Sequence, residues 1–212
     1  MAVTVAVLSG VIFAAAAPFA KVPLAPVWAF IPSYESALAV NDLVTALLLF
    51  GQFGFLRSRG LLVLASGYWF TALIAVAHAL TFPGLFSPTG LLGAGPQSTA
   101  WLYMFWHGVF PLCVIAYAVL NGREREPIPA RRARLAILGG VATAAIAACA
   151  LAWLATAGQR ALPAIMEGNR YTPVMIGVVS SVWLLSVAAL AALWRRRPHM
   201  VLDVWLMVVM CA

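Results

Sequence analysis

Six apolar stretches, each about long enough to cross a ~30 Å bilayer core, run through this 212-residue chain at 2–20, 37–56, 61–80, 101–120, 135–157 and 173–194. Nothing else constrains the fold as strongly. A peptide group in hydrocarbon finds no water to bond, so each stretch must close its own hydrogen bonds as a helix. Composition agrees: 64% of the residues are hydrophobic and 9% are charged, against about 25% charged in an ordinary soluble domain. Too little polar material exists to coat a water-facing globule. The expected fold is all-α, a polytopic transmembrane helical bundle of about six complete spans formed by residues 1–212 as one domain.

A seventh apolar run opens near Met200 and reaches Ala212. Its dozen or so residues are too few to cross at ~1.5 Å per residue. A chain stopping inside such a run is expected of one piece of a longer protein. The first run has no Lys or Arg before Lys21, so it lacks the basic leader of a signal peptide and reads as a retained helix.

Lys and Arg divide unevenly between the connections. One alternating set holds Arg57, Arg59, Arg123, Arg125, Arg131, Arg132, Arg134, Arg195, Arg196 and Arg197; the other holds Lys21, Arg160 and Arg170. The richer set marks the cytoplasmic side of a bacterial inner membrane, which puts the N-terminus inside. The net charge of +7 therefore reads as topology, not nucleic-acid binding. Cys113, Cys149 and Cys211 lie within apolar runs without metal-finger spacing, and read as packing residues. No phosphate loop, nucleophile elbow or zinc-protease motif occurs. Catalysis is not expected of this chain.

Two connections on the opposite side are unusual. Residues 21–35 hold Pro23, Pro26 and Pro32 with Trp28 and Phe30. Residues 81–100 carry no charge but contain Pro83, Gly84, Pro88, Gly90, Gly93, Gly95 and Pro96, which excludes a regular helix. The apolar Leu85, Phe86, Leu91 and Leu92 of this segment predict that it folds back onto the outer mouth of the bundle. It serves there either as a lid or as a packed connection.

Ionisable groups inside spans are costly and mark function. Asp42 and His107 lie about 21–23 Å above the cytoplasmic edge, and His78 about 28 Å, at ~1.5 Å per residue. Tyr68, Thr71, Ala75 and His78 form one helical stripe; Tyr103, His107 and Phe110 form another, flanked by Trp101 and Trp106; Asp42 shares a face with Thr45 beside Asn41. These spacings predict an outer pocket whose candidate ligand-binding residues are Asn41, Asp42, Tyr68, His78, Trp101, Tyr103, Trp106 and His107. For each histidine alone, a structural hydrogen bond across helices is the first reading, and it is the trio with Asp42 that points to function. His78 and His107 are also candidates for a metal ion or a haem, although no intrahelical two-histidine spacing supports it. Asp203, just inside the last run, is expected to pair within Arg195–Arg197.

Residues 31–53 (IPSYESALAVNDLVTALLLFGQF) and 61–120, which include GYWFTALIAVAHALTFPGLF and TAWLYMFWHGVFPL, resemble the fourth class of bacterial membrane-associated sensor domains, as does LDVWLMVVMCA at 202–212. Motif-like positions are Asn41, Asp42, Tyr68, His78, Pro83, Gly84, Gly90, Gly93, Gly95, Trp101, Tyr103, His107 and Pro111. The resemblance implies a sensory input module, a total near eight spans, a following diguanylate cyclase or histidine kinase output, and homodimerisation. The other readings to be separated are a haem or metal redox module, a small-molecule transporter and a passive dimerising anchor. The partners expected are the bilayer and an unidentified small ligand or ion.

Overall fold

The computed structural model describes residues 2–20, 22, 27, 29–123, 127–168 and 170–211. Lys21, Pro23, Pro26, Trp28 and Arg125, singled out in the sequence, lie outside the described residues, as does Ala212. The chain is helical: α1 (Ala2–Ala16), α2 (Phe30–Leu56), α3 (Arg59–Thr81), α4 (Ser98–Arg123), α5 (Ala130–Ala155), α6 (Pro173–Arg195) and α7 (Val201–Cys211). Helices α2 to α6 are long and apolar enough to cross a membrane. The first run makes a 15-residue α-helix continued by a short 3-10 turn at Ala17–Phe19, and α7 has 11 residues. Both are shorter than a full span.

Helix α3 is the axis of the bundle, packed against α2, α4 and α5. Helix α4 also meets α6, α6 meets α7, and α1 meets α7. The faces left over are apolar: Leu138, Ile146, Trp183 and Leu184 are exposed. Such an outside suits lipid and no other solvent. Small residues bring the inner helices close. A Cβ at Gly67 would meet the Cys113 side chain at 2.9 Å, and one at Gly60 would meet the Tyr117 carbonyl at 3.0 Å. Glycine here lets α4 lie on the α3 backbone, the usual device where lipid supplies no hydrophobic drive between helices.

The α2–α3 turn uses only Arg57, in a left-handed conformation (φ 54°), and Ser58, whose hydroxyl accepts from the Leu61 N–H at 3.3 Å to cap α3. The backbone N–H of Ile128, ahead of α5, donates to the Arg57 carbonyl at 3.0 Å. The α2–α3 turn, the end of α4 and the start of α5 therefore share one end of the bundle. The α6–α7 corner joins them there through Arg196. This end gathers Arg57, Arg59, Arg131, Arg132, Arg134, Arg195, Arg196 and Arg197.

At the other end, residues 156–168 and 170–172 form a short 3-10 turn (Gln159–Ala161) and an antiparallel pair, β1 (Met166–Glu167) with β2 (Arg170–Tyr171). Gln97 fastens this segment to α4. Its side-chain oxygen accepts from the Ile165 and Met166 N–H groups, both at 2.9 Å, and its nitrogen donates to the Met166 carbonyl at 2.7 Å.

Candidate functional site

Helix α2 starts earlier than its apolar run. Phe30 and Pro32, expected in a loop, form its first turn, where proline's missing N–H is no loss. The early start carries Glu35 into the helix. Glu35 is 4% exposed and faces His78, 7% exposed in the last turn of α3. Their Oε1 and Nδ1 atoms lie 2.9 Å apart. The second carboxylate oxygen, Oε2, is buried and has no hydrogen-bond partner among the described residues. Around His78 stand the rings of Phe82, Tyr103 and Trp106, at centroid distances of 6.1, 6.1 and 6.3 Å. The carboxylate in contact with His78 is thus Glu35, not Asp42.

Asp42 lies seven residues further along α2, about 10 Å deeper at ~1.5 Å per residue. It is half-buried beside Thr71 and Tyr68 of α3. Tyr68 in turn packs edge-on against Phe110 of α4 at 4.9 Å. On α4, His107 stacks on Tyr103 at 3.9 Å, donates from Nδ1 to the Tyr103 carbonyl at 2.8 Å, and lies 5.1 Å from Trp106. The structure therefore brings His78, Tyr103, Trp106 and His107 into one aromatic cluster headed by Glu35, with Asp42 and Tyr68 in a second tier. Two residues from the sequence set stand apart. Asn41 is exposed on α2, where its backbone carbonyl accepts from the Thr45 hydroxyl at 2.8 Å. Trp101 is buried and donates from Nε1 to the Pro163 carbonyl at 3.0 Å. It is a strut for the 156–172 segment. Among the described residues, no group of three or more His, Cys, Asp or Glu side chains is placed to hold a metal ion.

The 82–97 connection closes over this end of α3. The Leu91 N–H donates to the Leu80 carbonyl at 2.7 Å, and the Thr99 hydroxyl to the Thr81 carbonyl at 2.9 Å. Gly90 has φ 85°, and a Cβ there would run into the Thr81 carbonyl. The fold-back expected from the sequence thus takes the form of a tight turn pinned to a helix end. Its apolar residues do not all become buried. Phe86, Leu91 and Leu92 remain exposed, because the turn is held by its backbone and leaves side chains outward.

A second polar cluster occupies the arginine-rich end. Asp203 is fully buried; its Oδ1 accepts from Arg196 Nη1 at 2.7 Å and from the Tyr117 hydroxyl at 2.9 Å, and its Oδ2 from the Met200 N–H at 2.8 Å. The Arg196 guanidinium lies over the Tyr117 ring at 5.2 Å. With the Asn121 amide oriented to suit its neighbours, its oxygen accepts from Arg196 Nη2 at 2.9 Å and its nitrogen donates to Ser58 Oγ at 2.9 Å. One chain of contacts therefore joins the cap of α3, the end of α4 and the α6–α7 corner. The sequence signalled Asp203 with the arginine run. Tyr117, 86 residues away, and Asn121 carried no local sign of it.

No curated protein and no solved structure matches the chain significantly. A family model does, over residues 26–212, from α2 through α7 with their connections. By that match the chain belongs to MASE4, the family described as membrane-associated sensor, integral membrane domain.

Proposed function

We propose that this membrane sensor domain receives its input at the Glu35–His78 pair and passes it to a signalling output on the arginine-rich, cytoplasmic side. One observation carries the reading: Glu35 Oε2 is buried beside an imidazole and, among the described residues, has no hydrogen-bond partner. An unsatisfied buried carboxylate oxygen costs more than ~1–3 kcal/mol, and within a membrane span such a cost marks a site that something occupies. The occupant is a proton, a small cation or a small hydrogen-bond donor. Phe82, Tyr103 and Trp106 stand around His78, and His107, stacked on Tyr103, extends the cluster along α4. Asp42 and Tyr68 form the tier beneath.

A site of this kind signals only if its occupant binds two bundle states unequally. Neutralising Glu35 would loosen α2 from His78 and shift the α3–α4 contact, whose far end is the Ser58–Asn121–Arg196 chain. The sensor domain lies in the inner membrane, and the output is a cytoplasmic diguanylate cyclase or histidine kinase reached through a further span beyond α7.

The test uses the full-length protein in cells, with cyclic di-GMP or kinase phosphotransfer as the readout while external pH, monovalent cations and small amines are varied. Glu35→Gln keeps the size of the side chain, and should abolish the response while membrane insertion and basal output persist. An unaltered dose–response in Glu35→Gln and in His78→Ala would leave the passive anchor as the better account.

A further inference from the structure

A groove of about 650 Å³ runs between α1, α6 and α7, away from the Glu35 site. Its walls are Val3 of α1, Leu190 and Trp194 of α6, and Met207 and Val208 of α7, with His199 at the arginine-rich end. The walls are apolar, as a hydrocarbon chain requires. The mouth is not. The Arg197 guanidinium lies 5.1 Å over the Trp194 ring. His199 Nε2 donates to the Trp194 carbonyl at 3.2 Å, which leaves Nδ1 to accept from Arg197 Nη1 at 3.5 Å. The ring and the imidazole hold the exposed Arg197 at the rim.

The local charge is all of one sign. Asp203, the nearest acid in sequence, is fully buried and committed to Arg196, Tyr117 and the Met200 N–H. Among the described residues, Arg197 makes no ion pair with a carboxylate. Its neighbour Arg195 is exposed as well. A cationic rim over an apolar trough complements one kind of molecule, an anionic head joined to an acyl chain. A choline or ethanolamine head would prefer the aromatic face of Trp194, and Arg197 already covers it.

We propose that this groove holds an anionic phospholipid of the inner leaflet. The phosphate sits on Arg197, oriented by His199 and Trp194, and one acyl chain lies between α1 and α6. Helix α1 touches the rest of the bundle chiefly through α7. The lipid would therefore complete the packing of the first helix and brace α7.

The experiment is native mass spectrometry of the purified chain in detergent, titrated with phosphatidylglycerol or phosphatidylcholine of equal chain length. Phosphatidylglycerol should bind more tightly, and Arg197→Ala should weaken it about fivefold, near the attraction of one basic residue for an anionic surface. Arg197→Lys should restore part of the difference. Leu190→Trp, which fills the trough and keeps the charge, should weaken both lipids. Equal binding of the two lipids by the parent chain would overturn the assignment. So would an unchanged affinity in Arg197→Ala, or equal competition by glycerol phosphate, which lacks an acyl chain. Folding of each variant is checked by its retained helicity.

Discussion

Replacing Asp203 by alanine should destabilise the arginine-rich end more than any other single truncation of a polar side chain there. The aspartate is fully buried and receives three hydrogen bonds, from Arg196, Tyr117 and the Met200 N–H. A floor for the loss comes from hydrogen bonds measured between membrane helices, which average ~0.6 kcal/mol each; three of them give roughly 2 kcal/mol. A ceiling comes from removing one partner of a buried ion pair, about 3–5 kcal/mol. Arg196 retains Asn121 and the Tyr117 ring, and its side chain is 14% exposed. The loss should therefore fall at about 2–4 kcal/mol, between those bounds. Reversible unfolding in mixed micelles, followed by circular dichroism, measures it. The double-mutant cycle with Tyr117→Phe should return a coupling above ~0.5 kcal/mol. Added salt should change it little, because a buried pair is poorly screened. A loss in Asp203→Ala under ~0.5 kcal/mol, the range of an exposed pair, would refute the inference that the aspartate holds this corner together.

Two further outcomes follow from single contacts. Gly90→Ala should lower the thermal midpoint well beyond Gly93→Ala: both positions have positive φ, costing roughly 1–2 kcal/mol for a side chain, but only at Gly90 would the new methyl strike a carbonyl, that of Thr81. Trp101→Phe should cost about 1 kcal/mol by orphaning the Pro163 carbonyl and leave the signalling response unchanged; a lost response with normal stability would return Trp101 to the ligand site.

The spans and the arginine-rich end were legible because hydropathy and Lys/Arg counts need no tertiary information. The His107–Tyr103 stack was legible for a similar reason, since residues four apart on a helix share a face. Glu35 was not. It sits behind Phe30 and Pro32 in a segment that reads as loop, and a proline in the first helical turn gives no warning that the helix has begun. Asp42, inside the apolar run, drew attention in its place. Trp101 shows the converse: its apolar ring suggested stacking, whereas its position is set by one N–H and a carbonyl 62 residues away. Gln97 is the same case in a polar residue. Nothing local distinguishes a solvated glutamine from one whose amide serves as the edge of a small sheet.

The two polar clusters stand at opposite ends of the same pair of helices. His78 stands twenty positions beyond Ser58, the cap of α3, about 30 Å at ~1.5 Å per residue. Over that length α3 and α4 meet through Gly60 and Gly67, where contacts are already close. Small residues packed to that density leave little room for one helix to bend against the other, so a displacement at one end is transmitted as sliding or rotation. Lipid around the bundle sharpens the consequence, because a polar contact broken within it is not replaced by water. The Arg196–Asp203 corner must then keep its partners or exchange them as a set. If an input acts at Glu35, that all-or-none exchange is what would carry it to α7, and Tyr117→Phe should uncouple response from insertion even though Tyr117 touches neither Glu35 nor His78.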